Sequence, residues 1–218
     1  MPLAHLSFEP AEPVIGAVIW MHGLGASCRD FVPLLPFVMR PGLRFIFPQA
    51  PERPVTVNAG ERMPSWYDIR TMEPVSDREN LDDVHESSEQ IRALIDAQVE
   101  AGVPSDRIVL AGFSQGAALA LWTAHRYAKP LRAMLIMSGY QLGPDLHDAA
   151  GHPANANTPA MCMHGMQDQV VAMDRGYSAY DVLSEGGRET TWRDYPMGHE
   201  LCALQARELR QWFESLYV

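Results

Sequence analysis

The chain has 218 residues, 47% hydrophobic and 20% charged, with a formal net charge of -10 at pH 7. That length and mix predict one globular domain over residues 1–218 with a sizeable core. The negative charge repels a duplex or an anionic membrane surface and argues against nucleic acid as a partner.

Residues 1–10 hold neither a basic segment nor an apolar core, so no secretory signal is expected. No apolar run approaches the roughly 20 residues of a membrane span, so no stable membrane anchor is expected. Cys28, Cys162 and Cys202 have no paired spacing. They form neither a disulfide framework nor a zinc motif, which predicts a reduced cytoplasmic setting with no metal.

Residues 14–20 (VIGAVIW) are a continuous apolar run and residues 43–47 (LRFIF) a shorter one. Residues 49–79 fit neither helix nor strand period and read as a long loop, rich in Pro, Arg and Met. From residue 80 to 101, Val84, Ile91, Leu94, Ile95 and Val99 keep to one face at helical spacing. Ser76-Asp77-Arg78-Glu79 offers a capping box upstream, and Gly102 with Pro104 a stop. Residues 107–111 (RIVLA) predict a strand, and 115–127 a helix closed by Pro130. Another strand run covers 132–137, a loop 142–158, and a further run 159–163 (PAMCM). A helix over 173–185 ends at Gly186-Gly187, 190–195 alternates as an edge strand does, and 200–216 forms the last helix. Apolar runs of this kind suit strands buried on both faces. Strands alternating with helices predict an α/β fold, a mostly parallel sheet with helices on both sides.

Between the 107–111 strand and its helix lies Gly112-Phe113-Ser114-Gln115-Gly116. Gly-x-Ser-x-Gly at a strand-to-helix turn is a nucleophile-elbow pattern. The turn is tight enough to strain the serine, and both glycines remove side chains that would meet the opposite limb. A serine N-cap in a Gly-rich turn is the plain alternative. A dinucleotide loop fits worse, because Ser114 takes the place of a required glycine.

A serine needs a base, and the base an orienting carboxylate, in the chain order Ser, acid, His. His125 lies in the helix facing away, His147 and His152 precede any credible acid, and His164 precedes the carboxylate it would have to follow. His199 follows the last strand, with Glu200 starting the helix beyond it. Asp168 lies past the 159–163 strand, after the turn-permitting Gly165. Asp174 and Asp181 fall in a helix and Asp194 inside a strand. The candidates are therefore Ser114, Asp168 and His199. The early strand ends in His22-Gly23-Leu24-Gly25, and such a loop supplies a main-chain N–H to an oxyanion. Leu24 and Gln115 are the expected donors, and His22 is expected to shape the loop through hydrogen bonds.

With these residues in place, the chain resembles the acyl-protein thioesterase and small carboxylesterase family of α/β-hydrolases. The resemblance runs through MHGLGA (from Met21), FPQAP (Phe47), RPVTVN (Arg53), MPSWYDI (Met63), SDRIVLAGFSQGAALAL (Ser105), HGMQDQVV (His164) and GHE (Gly198). Ala117 departs from it, since many relatives carry a third glycine there. The resemblance implies an α/β-hydrolase fold without a large cap domain, the same triad and the same oxyanion donors. It also implies a short strand excursion within 49–79, with Trp66 and Tyr67 shaping an apolar acyl wall and Met63 and Met72 as their neighbours; structural packing is the plain alternative for Trp66. The expected function is cofactor-free cleavage of carboxylic esters or thioesters through an acyl-enzyme. Expected substrates are a small-molecule ester, a lysophospholipid or an acylated protein; a weak homodimer is compatible with the sequence. The alternatives are an acyltransferase or lysophospholipase using the same triad, and an inactive hydrolase fold that only binds.

Overall fold

The computed structural model describes residues 3–73, 75, 77–143, 151–184 and 187–217. Its main sheet has seven strands: β1 (His5–Phe8), β2 (Gly16–Met21), β3 (Leu43–Pro48), β6 (Ile108–Phe113), β7 (Ala133–Met137), β8 (Ala160–Gly165) and β9 (Thr190–Tyr195), in the order β1-β3-β2-β6-β7-β8-β9. Only β1 runs antiparallel, pairing Phe8 with Phe45 on β3. β2, β6, β7 and β8 read as near-continuous hydrophobic runs because helices cover both faces.

The pleat sends alternate residues to separate cores. Ala17, Ile19 and Met21 join the helices α2 (Leu81–Glu100), α3 (Gln115–Arg126) and α4 (Met173–Ser184) on one face. Val18 and Trp20 meet α1 (Leu35–Val38) and α5 (Ala203–Leu216) on the other. Each fully buried Ile or Phe side chain there contributes about 1.5–3 kcal/mol relative to exposure. Trp20 stacks on Phe31 with ring centroids 4.7 Å apart, and Phe45 meets Phe213 edge-on at 5.9 Å.

Several expectations are corrected. The edge strand β1 is not legible as a strand: it is four residues long, with one face half-exposed. Residues 49–79 contain a β-hairpin of β4 (Glu52–Val55) and β5 (Glu61–Pro64), which is the strand excursion that the resemblance implied. Its turn passes through Ala59 and Gly60 at φ 55° and 77°. The cap of α2 is Asn80, whose side chain accepts from the Asp82 N–H at 3.2 Å. Ser76 lies outside the described residues. The helix starts late because Glu79 is still extended, bridged to Ile69. The last helix begins at Ala203 behind a capping box of Cys202 and Gln205, so Glu200 precedes the helix. His147 and Gly186 lie outside the described residues, as does much of the 142–158 loop. Among the described residues, no helix is long and apolar enough to cross a membrane.

Candidate active site

β6 ends at Phe113, α3 begins at Gln115, and Ser114 between them sits at φ 54°, ψ -120°. A non-glycine residue held there costs about 1–3 kcal/mol and persists only where its surroundings enforce it. The Ser114 N–H donates to Met137 O at 2.8 Å, pinning the turn to the neighbouring strand. A Cβ on Gly112 would overlap the Gly116 carbonyl, the opposite limb of the turn. A Cβ on Gly116 would instead lie 2.5 Å from the carbonyl oxygens of Met21 and His22. The second glycine therefore serves the approach of β2 and its loop, which corrects the expectation that both relieve the turn itself.

Ser114, His199 and Asp168 meet above the carboxyl ends of β6, β8 and β9. His199 Nε2 lies 2.9 Å from Ser114 Oγ, and His199 Nδ1 lies 2.7 Å from Asp168 Oδ2. A carboxylate only accepts, so Nδ1 carries the proton and Nε2 is left to accept from the hydroxyl. Asp168 Oδ1 accepts the N–H groups of Val170 at 2.9 Å and Val171 at 2.8 Å. Gly165 allows the two loops to approach: a Cβ there would run into the carbonyls of Met197 and Gly198. Gln167 N–H donates to Met197 O at 3.0 Å across the same seam.

His164 is buried beside this row rather than in it. Its Nε2 donates to Val171 O at 2.8 Å and lies 3.6 Å from Asp168 Oδ2. It thereby braces the loop whose amides hold the carboxylate. Its ring stacks on Trp192 with centroids 5.9 Å apart.

On the other side of Ser114, the loop after β2 is held by His22. The His22 ring is fully buried; Nδ1 donates to Gly23 O at 2.7 Å and Nε2 accepts the Ala50 N–H at 3.1 Å. Burial pushes its pKa below the ordinary 6.5, which keeps the ring neutral in that arrangement. Gly25 N–H is bonded to Pro64 O at 2.8 Å. Among the described residues, the amides of Leu24 and Gln115 have no protein acceptor. The latter belongs to the first turn of α3, where free N–H groups and the helix dipole favour negative charge.

These groups open onto a cavity of about 640 Å³ lined by Leu24, Val57, Ile69, Met72, Val171 and Leu201 among others. Pockets of this size with mainly apolar walls and a few polar groups suit small organic ligands.

The phospholipase/carboxylesterase family matches residues 7–217. An acyl-protein thioesterase 1 of Yarrowia lipolytica is 33% identical over 205 residues, covering 91% of this chain and 90% of its own. A probable carboxylesterase of Oryza sativa subsp. japonica is 34% identical over 205 residues, covering 91% and 76%. The crystal structure of Arabidopsis thaliana SOBER1 superposes with a TM-score of 0.85 at 25% identity, covering 93% and 99%. The chain belongs to the phospholipase/carboxylesterase family. As a member it is an esterase-type hydrolase with the α/β-hydrolase fold.

In this family member the expected wall residues do not all reach the cavity. Met72 lines it and is 54% exposed. Met63 lies behind it: its Sδ accepts from Asn58 Nδ2 at 3.3 Å and faces Gly25. Trp66 and Tyr67 are fully buried and do not line the cavity, a correction to the acyl wall expected for them. The reason is hydrogen bonding under the elbow. Trp66 Nε1 donates to His22 O at 2.8 Å, and Tyr67 OH shares a 2.8 Å bond with Tyr140 OH. The Gln115 side chain accepts the Trp66 N–H at 2.9 Å and donates to Tyr67 O at 2.7 Å. Residues 65–67 are thus a brace tying the hairpin segment to the elbow helix. Sequence reasoning missed the Gln115 side chain, Arg78 and Tyr140. A polar residue inside the elbow and an arginine in a Met-rich loop were the available signals.

Proposed function

We propose that this chain hydrolyses carboxylic esters and thioesters with apolar acyl chains through a Ser-His-Asp triad. Ser114 Oγ attacks the acyl carbon while His199 Nε2 takes its proton. The negative oxygen of the tetrahedral intermediate is held by the amides of Leu24 and Gln115. Collapse of that intermediate expels the alcohol or thiol, which leaves with the proton from His199 Nε2. A water molecule, deprotonated by the same nitrogen, then attacks the acyl-enzyme and releases the acid. Asp168 holds the Nδ1–H tautomer and stabilises the imidazolium formed in each half-reaction. The acyl chain lies against Val57, Ile69, Met72 and Val171. Substrates are small-molecule esters, lysophospholipids or acylated proteins. The whole chain acts as one domain, in the cytoplasm and without cofactor.

The single observation that carries this reading is the row Ser114–His199–Asp168 at 2.9 and 2.7 Å. Beside it are the Leu24 and Gln115 amides, which have no acceptor among the described residues. A fluorophosphonate probe tests it. Stoichiometric labelling mapped to Ser114, with loss of esterase activity in parallel, is expected. Full activity after complete labelling, or labelling at another serine, would overturn it.

A further inference from the structure

One wall of the cavity is not apolar. Arg78 lines it, yet Arg78 is only 3% exposed. Its Nε donates to Thr71 O at 3.1 Å. Among the described residues, its Nη2 reaches only the thioether of Met72, at 3.9 Å, and its Nη1 has no hydrogen-bond partner. A guanidinium is always charged and carries five donors, and buried donors without acceptors are costly. Here the group is held rather than satisfied: it lies 5.2 Å from the Tyr140 ring centroid, and Arg175 covers the same ring at 4.2 Å.

The neighbouring charges leave the corner positive. Glu79 Oε1 lies 3.6 Å from Arg78 Nε and 3.7 Å from Arg175 Nη2, and is itself without a hydrogen bond. Two guanidiniums thus face one carboxylate in a protein whose formal net charge is -10. The cover over Arg78 Nη2 is a methionine that is 54% exposed, with an unbranched side chain able to swing aside.

We infer that Arg78 is an anion subsite of the acyl cavity and that the chain accepts acyl groups ending in a carboxylate. The methylenes run along Ile69 and Val171, and the far carboxylate takes the place of the Met72 thioether on the guanidinium. The two oxygens of a carboxylate match the guanidinium fork, which makes such pairs both stronger and more selective than neutral hydrogen bonds. This inference rests on the reading of Ser114 as nucleophile.

The test uses monomethyl esters of dicarboxylic acids from glutarate to sebacate. Each is compared with the methyl ester of the monocarboxylic acid of equal carbon number. We expect kcat/KM to favour the carboxylate member at least about tenfold at one chain length, a floor well below the discrimination reached when a site's buried polar groups must be matched. Arg78→Met should lower that ratio at least about tenfold, while Arg78→Lys, which keeps the charge but not the fork, should fall between. A wild-type preference for the neutral ester at every length overturns the inference, whether or not the variants fold. So does a ratio unmoved in folded Arg78→Met. Fluorophosphonate labelling of Ser114 separates the two readings. Labelled enzyme without carboxylate preference removes only the subsite, whereas an unlabelled Ser114 removes the hydrolase mechanism beneath it.

Discussion

At the floor of the cavity, Ser114 Oγ, both ring nitrogens of His199 and both oxygens of Asp168 have hydrogen-bond partners within 2.9 Å. On the wall, among the described residues, Arg78 Nη1 has none and the one hydrogen bond of Nη2 is to sulfur. The floor stands on turns that leave β6, β8 and β9 directly, so the sheet register sets its geometry. The part of the wall formed by Ile69, Met72 and Arg78 stands on the irregular chain between β5 and α2. Groups that act on the reacting atoms are pre-organised by the protein alone, which electrostatic catalysis requires. On the proposed reading, Arg78 on the wall keeps donors for the substrate to satisfy.

Disrupting the floor gives the largest effects. Ser114→Ala should lower kcat by on the order of 10⁶-fold, with an unchanged thermal midpoint. Steady-state kinetics on a short-chain ester checks this, and a folded variant with near-normal kcat would take Ser114 out of the mechanism.

Asp168→Asn should cost on the order of 10⁴-fold, because an amide N–H toward Nδ1 favours the wrong tautomer. If Asp174→Asn is the crippling change instead, the acid has been misassigned.

Gly112→Ala forces a Cβ into the Gly116 carbonyl, so the elbow must open. A loss of about 1–3 kcal/mol in denaturant unfolding is expected. A further loss of about 10²-fold in kcat should follow from the displaced nucleophile. Unfolding and kinetics measured on the same preparation separate the two.

His22 supports the floor from beneath, and its effect is on stability. Burial lowers its folded pKa below 6.5, so the unfolded chain takes up the proton first as pH falls. The stability linked to His22 is therefore present above about pH 6.5 and is lost as pH drops from there through the lower folded value. His22→Gln should flatten the slope of unfolding free energy between about pH 7 and 5, by at most about 1.4 kcal/mol per pH unit. Equal slopes in both proteins would exclude a neutral buried ring.

The smallest effects belong to the boundary between brace and wall. Trp66→Phe keeps an aromatic ring but leaves His22 O without its donor, costing about 1–3 kcal/mol of stability. The dependence of kcat/KM on acyl length should not change. Met72→Ala should do the reverse, reducing the gain per methylene below the roughly 0.8 kcal/mol of full burial while sparing stability. A length profile flattened by Trp66→Phe and not by Met72→Ala would invert this assignment.

Much of the floor was legible because its signals are local. A tight strand-to-helix turn demands small residues at set offsets, so Gly112 and Ser114 declare themselves within a short stretch. Chain order then separates His199 and Asp168 from their competitors. Helix α2 was readable from its apolar period, since it buries one face against the sheet, whereas α3, buried from Gln115 through Ala124, was placed by the elbow before it and Pro130 after it. The antiparallel edge β1 was not, because four half-exposed residues carry no decisive period. The cap of α2 was misplaced because the Ile69–Glu79 bridge, a contact across the intervening loop, keeps the chain extended beyond the capping signal.

The amino-acid sequence by itself determined the family, the α/β order of elements and the residues suited to nucleophile, base and acid. Each depends on residue type, offset or chain order, which are properties of the chain before it folds. Tertiary structure alone decided that Gly116 yields to β2, that Trp66 and Tyr67 brace the elbow rather than touch the cavity, and that Arg78 faces it. Those assignments depend on which backbone passes within a few ångströms, and Trp66 and Met72 look alike as apolar residues until packing buries one and leaves the other 54% exposed.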